Sequence, residues 1–205
     1  MKRVLTYIFV FMVVLFTSCN RSVPPAEYVH YVENPSNGLK INEAVNGVSY
    51  SLQYEPVEYC VMLEKRSFSV PGGEFKKEYE RFKGLEHYTF RIEKSGMDSL
   101  VSKLGDTSKY KKSVEEYFDF RIQKDIKLVK GKDTIPCSIC QLDANTGISQ
   151  YYTFSLGFAG QENERQQGKQ TDRLFLFDNK KLHTGNVTLC VKGKDLDNVP
   201  KLKMM

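Results

Sequence analysis

Five cysteines and three histidines are the chemically versatile side chains of this 205-residue chain. Cys19 stands in "LFTSCN", directly after an apolar run, where a thiol could take a carbon chain as a thioether and a serine could not. Cys137 and Cys140 stand in "CSIC", the spacing of a redox dithiol. Such pairs work at a helix N-terminus, where the dipole lowers the pKa of one thiol. Here "DTIPCSICQL" alternates like a strand, and strand positions three apart face opposite sides, so the two thiols are expected to diverge. For Cys60, Cys137, Cys140 and Cys190 the first reading is buried free thiols, the second a structural bridge, for which four cysteines allow three pairings, and the last redox chemistry.

Cys190, His183 and Asp178 could be assembled into a nucleophile, base and acid. The histidine and the acid share one short loop, however, and no glycine-rich nucleophile elbow precedes the cysteine, so exposed loop residues are expected instead. His30 falls in a segment read as linker, and His87 heads a strand. Glu115 and Glu116 are adjacent, so they cannot face each other on a helix. No phosphate loop, dinucleotide fingerprint or calcium loop is present. Asp195 and Asp197 are too sparse for a metal cage, and zinc would need a further ligand pair. The sequence therefore points to no catalytic residue, no metal and no cofactor, and to a binding role before an enzymatic one.

The first residues read "MKR" and then "VLTYIFVFMVVLF": two cations, then thirteen uncharged, mostly apolar positions. A membrane-crossing helix needs ~20 apolar residues, whereas this length suits the h-region of a signal peptide. With "FTSC", Phe16 to Cys19, the segment resembles a bacterial lipoprotein signal peptide of the signal peptidase II type. That resemblance implies cleavage after residue 18, diacylglycerol on the Cys19 thiol and acylation (palmitate or a similar chain) of its amino group. It also implies attachment to a membrane through those chains. For such lipoproteins the resemblance further implies that Asn20 in place of Asp leans towards the outer membrane, and "NRSVPP", with a base and no acidic run, towards its periplasmic face; surface display is the alternative. The stretches "VNGVSYSLQYEPVEY" and "KDTIPCSICQLDANTG" resemble uncharacterised lipoproteins of the Bacteroidetes type, for which no activity is implied.

Around these residues the chain reads as three parts: a signal peptide over 1–18, a lipidated N-terminus with a flexible tether over 19–46, and one globular domain over 47–205. Pro24, Pro25, Pro35 and Gly38 interrupt the tether. Removal of 1–18 leaves 187 residues, enough for one well-buried domain, and lowers the formal charge from +5 to +3. The bases are dispersed among acids, so nucleic acid is not an expected partner.

Asn46-Gly47 signals a turn, and Val48, Tyr50 and Leu52 alternate with polar residues to predict a strand over 47–54. Pro56 suits the first turn of a helix over 56–65, with a second strand as the alternative given Val, Tyr and Cys there. "EFKKEYERFK" places Phe75, Tyr79 and Phe82 on one helical face. "EHYTFRIEK" is a strand, 97–104 a short helix. "SVEEYFDFRIQK" is ambiguous: Ser113 and Glu116 suggest a capping box, while "FDFRIQK" echoes "YTFRIEK" and suggests a strand. "VKGKD" occurs at 129–133 and 191–195, read as similar strands ending in similar glycine turns. "DIKLVKGKDTIPCSICQL" predicts a hairpin at Gly131, with further strands in "SQYYTFSLGF", "DRLFLFD" and "NVTLCV". The segment "AGQENERQQGKQT" is a solvent loop, and the residues from 194 a partly ordered tail.

Six to eight strands, clustered late, and two to four short helices, clustered early, predict an α+β fold with a mainly antiparallel sheet. The functional expectation is a lipid-anchored envelope protein that binds a partner protein or supports an assembly. An envelope-polymer hydrolase and a small-ligand or glycan binder are the alternatives. The last of these needs exposed strand aromatics, so the burial of Tyr88, Phe118 and Tyr152 tests it.

Overall fold

The computed structural model describes residues 21–93, 95, 107–143, 150–160, 169–178 and 185–203. Its centre is an eight-stranded antiparallel sheet in the order β2-β3-β4-β7-β6-β5-β8-β9. The strands are β2 (Lys40–Val45), β3 (Val48–Glu55), β4 (Leu85–Glu93), β5 (Ile126–Lys130), β6 (Asp133–Leu142), β7 (Tyr151–Ala159), β8 (Arg173–Phe177) and β9 (Val187–Val191). The two outer strands, β2 and β9, lie against each other without a hydrogen-bonded ladder, so the sheet curls almost into a barrel. The α+β class and the antiparallel sheet are as the sequence predicts.

Alternation builds this wall. Val48, Tyr50 and Leu52 of β3, Tyr88, Phe90 and Ile92 of β4 and Phe175 and Phe177 of β8 are buried at 0–1 % exposure. Their rings meet across the interior: Phe90 lies 6.1 Å from Tyr50, 4.9 Å from Phe175 and 5.5 Å from Phe177 between centroids. Small barrels are filled by side chains in this way. Aromatic pairs at such spacing contribute ~0.5–1.5 kcal/mol each beyond their buried area. Two tight turns set the register. Asn46 and Gly47 both have positive φ, as a type I′ hairpin requires, and join Val45 to Val48. Gly131, at φ 59°, joins Lys130 to Asp133.

Helices close both ends of the barrel. At the top, marked by Glu55, Leu85 and Arg173, lie α1 (Pro25–Glu33), α2 (Val57–Lys65), α3 (Gly72–Phe82) and α5 (Gly193–Asp197). Pro25 and Pro56 stand at the helix starts where a missing N–H costs nothing. At the bottom α4 (Thr107–Phe120) inserts Phe118, 4.7 Å from Tyr152 and 5.3 Å from Phe154. Among the described residues no helix is long and apolar enough to cross a membrane.

Several expectations need correction. Residues 22–45 are no tether. They form β1 (Ser22–Val23), α1, a 3₁₀ turn at Pro35–Asn37 and β2, and they bury Val23, Tyr28, Val32 and Leu39 in the core. The tail folds as well: β10 (Lys201–Leu202) pairs in parallel with β1. The echo "FDFRIQK" is helix and 3₁₀ turn, not strand, because Val114, Tyr117 and Phe118 follow helical spacing onto one buried face. The second "VKGKD" runs from β9 into α5, whereas the first forms a hairpin. The predicted helix over 97–104 and most of the polar loop after β7 lie outside the described residues. Tyr88 and Phe118 are buried and Tyr152 is half-buried against the core, so these three aromatics belong to the core and not to a platform.

Candidate functional site

A cleft of about 540 Å³ opens over the top of the barrel between α1, α2, α3 and the C-terminal segment. Binding sites for small groups typically occupy ~300–1,000 Å³. The walls are Tyr28, Tyr54, Phe75, Tyr79, Pro56 and Pro200; Glu58, Gln170, Asp197 and Lys201 supply polar groups. Phe75 and Tyr79 are one helical turn apart in α3, and their rings stack with centroids 6.3 Å apart. Tyr28 faces inward from α1 and its hydroxyl lies 3.5 Å from Glu58 Oε2. Tyr54, at the end of β3, sets its ring edge against Tyr88 at 5.4 Å.

Beneath the cleft the barrel top is closed by an ionic network. Glu86 turns inward from β4, and its Oε1 accepts from Lys130 Nζ at 2.8 Å and from Arg173 Nη2 at 3.0 Å. Its Oε2 accepts from Arg173 Nε at 3.2 Å and from the Tyr88 hydroxyl at 3.1 Å. The Lys130 and Arg173 side chains are 3 % exposed, so both ion pairs with the carboxylate are withdrawn from water. Burial works to raise the Glu86 carboxyl, but the guanidinium of Arg173, with Lys130, outweighs it and holds the group below the usual carboxylate range. Arg173 Nη2 also donates to Gln170 Oε1 at 2.8 Å, and Gln170 N donates to Asp197 Oδ1 at 3.0 Å. Two polar groups of the cleft are thus rooted in the barrel. Gly193 allows this approach: a Cβ there would strike the backbone carbonyl of Gln170.

A second, polar hollow of about 280 Å³ lies on the outer face of β2, β3 and β4. Glu55 is at its edge, with Thr89 Oγ1 donating to Glu55 Oε1 at 2.6 Å. Burial raises the Glu55 carboxyl; the Thr89 hydrogen bond and the charge of Arg91 oppose this only in part. Tyr59 donates to Glu33 Oε1 at 2.9 Å, and burial followed by that carboxylate pushes its phenol up. On the other side of Glu55, Cys60 and His87 line an open concavity. Burial and Glu55 push the Cys60 thiol up, away from thiolate, and burial lowers His87, whose Nε2 lies 2.9 Å from the Phe82 carbonyl.

The residues singled out in the sequence are scattered. Cys19 and His183 lie outside the described residues. Cys190 pairs with Leu174, whereas Asp178 follows Phe177 at the other end of β8, about 13 Å along the strand. The acid near Cys190 is Asp172, with Oδ2 3.9 Å from the thiol. His30, Glu115 and Glu116 are exposed. Among the described residues no three His, Cys, Asp or Glu side chains gather to hold a metal.

The expected divergence of Cys137 and Cys140 does not occur. A bulge at Ser138 shifts the register, so that Cys137 pairs with Phe158 and Cys140 with Leu156, both inward-facing residues. One extra residue turns the strand over and brings the thiols to one side, within hydrogen-bonding reach. Both are free, as are Cys60 and Cys190.

The cleft itself was missed, because its lining comes from five separate segments. The one local signal is Phe75 and Tyr79 at helical spacing, which periodicity marks only as one face of a helix.

No protein-family model matches this sequence, and no curated protein matches it. A solved structure from Burkholderia pseudomallei, described as a novel protein of unknown function, is similar over 87 % of this chain and 92 % of its own length. The identity is 9 % and the TM-score 0.40, a likeness that says nothing of what either chain does.

Proposed function

We propose that this chain is a lipid-anchored protein of the cell envelope that holds a partner protein in the cleft over the barrel top, without catalysing a reaction. Acyl chains on Cys19 attach it to the outer membrane, with the domain facing the periplasm. The observation that carries the binding role is the cleft's composition: aromatic and proline walls, with hydrogen-bonding groups at separate points and a rigid ionic floor. Tyrosine-rich concavities suit a protein segment, because they bury large area at little entropic cost and still offer hydroxyls. The cleft's charged residues, Glu58, Asp197 and Lys201, fit orientation of a bound segment.

The test places a photo-reactive amino acid at Tyr79 of the full chain in native cells. One discrete adduct, lost in a Phe75→Ala background and reproduced with the purified partner, is the expected result. Release of soluble fragments from envelope polymer by the purified protein would point to the hydrolase instead, and an absence of any adduct would overturn the binding role. Intact-mass measurement of the mature chain checks the anchor separately: fatty acid is expected on Cys19, and an unmodified or uncleaved species overturns it.

A further inference from the structure

We propose that the β1–β10 pair and the loop between α2 and α3 form the face on which this domain lies against a lipid bilayer. The proposal rests on the reading of Cys19 as acylated, and adds to it the orientation of the domain. The chain leaves no slack. Cys19 is three residues ahead of Ser22, and extended chain covers at most ~3.3–3.6 Å per residue, so the anchor lies within about 11 Å of β1. β1 itself is fixed: Lys201 N donates to the Arg21 carbonyl at 3.0 Å, Lys203 N to the Val23 carbonyl at 2.8 Å, and Val23 is 3 % exposed. With the tether folded into the domain, this end of the molecule is held at the membrane surface.

What surrounds β1 suits that position. Phe68 and Val70, from the α2–α3 loop, border a shallow hollow with Pro25 and Leu202. Phe68 is 56 % exposed, an aromatic ring that the described residues leave more than half open. Lys201 and Lys203, the neighbours of the half-buried Leu202 in sequence, are exposed, Lys203 borders the same hollow, and Arg66 is exposed at the foot of the α2–α3 loop. None of these three cations makes an ion pair among the described residues. An apolar ring flanked by cations matches the boundary between acyl chains and anionic headgroups. Phe75 and Leu202 line both this hollow and the cleft, so the cleft opens beside the bilayer and receives its partner at headgroup level.

The chain contains no tryptophan, which gives a direct test. Phe68→Trp and, at the bottom of the barrel, Phe120→Trp are each made in the full chain, and acylation is verified by mass. Both proteins are reconstituted in phosphatidylethanolamine–phosphatidylglycerol vesicles carrying brominated acyl chains. Quenching of the probe in Phe68→Trp by half or more, with little change in Phe120→Trp, is expected. A Lys201→Glu/Lys203→Glu background should reduce that quenching several-fold and have less effect in vesicles without phosphatidylglycerol. Equal quenching of the two probes in acylated protein overturns the face and leaves the anchor standing. Protein without fatty acid overturns the anchor and this face with it.

Discussion

Glu86 and Glu55 lie on opposite faces of the same pair of strands, and their carboxyls move in opposite directions. Glu86 turns into the barrel, where burial alone would raise it, yet Arg173 and Lys130 keep it ionised and its pKa low. Glu55 turns outward towards α2; there burial prevails over Thr89 and Arg91, and the nearby Asp143 adds to the rise. Burial is common to both, so the deciding difference is direct ion pairing: two cations grip Glu86, while Glu55 receives one neutral hydroxyl. The first carboxylate is a structural tie, and the second holds its proton more tightly at the edge of an open hollow.

Removing the tie should have the largest effect. Glu86→Ala removes the carboxylate that the buried Lys130 and Arg173 share, which should cost up to about 3–5 kcal/mol, read as a lower midpoint in urea unfolding. The pH dependence follows from the sign. A carboxyl held low in the folded state contributes stability that is complete above its unfolded pKa and is lost as pH falls through the folded one. Glu86→Gln should therefore flatten the acid limb of the stability curve. An unchanged acid limb would mean that the two cations are satisfied by other groups.

Val23→Ala probes the terminal pair, where no charge is involved. It deletes the equivalent of two methylenes from a buried site and should cost about 1.5 kcal/mol. A tether would show no such loss, so a change near zero would return residues 22–45 to the role that the sequence suggests. Glu55→Gln should do the reverse of Glu86→Gln. The folded form takes up the Glu55 proton first, so its contribution grows as pH falls from the folded pKa towards the unfolded one and is a cost at neutral pH. The variant should be slightly more stable than the parent at pH 7, and loss of stability there would show that Glu55 is held by a cation after all.

The barrel wall was legible because its rules are local. Val48, Tyr50 and Leu52, or Phe175 and Phe177, announce an inward face by alternation, and Asn46-Gly47 and Gly131 announce the turns. β2 escaped because Asn42, Glu43 and Ala44 are all exposed and give no period. β1 and β10 escaped because each is two residues long and its partner is nearly the whole chain away. The similar strings "YTFRIEK" and "FDFRIQK" diverged because Tyr88 and Phe90 alternate within a ladder while Tyr117 and Phe118 close a helix. The candidate site suffered most. Glu86, Lys130 and Arg173 look like ordinary surface charges in sequence, and only the strand order brings them together.

Cys137 and Cys140 carry the rule drawn from Glu86 and Glu55 to a smaller scale. The Ser138 bulge places both thiols on one side of β6, where burial alone would raise both. The hydrogen bond from Cys140 instead lowers Cys137, aided by the surrounding backbone, and that same bond raises Cys140. A partner again sets the direction that burial would have reversed. In Cys140→Ala the donor is gone, and the Cys137 titration, followed by the ¹³C shift of its Cβ, should move up. The stability change should be about 1 kcal/mol or less, because Cys140 is only half-buried. If the Cys137 inflection stays where it is in the parent, the thiols do not converge, and the alternating strand that the sequence suggested is the better description of this stretch.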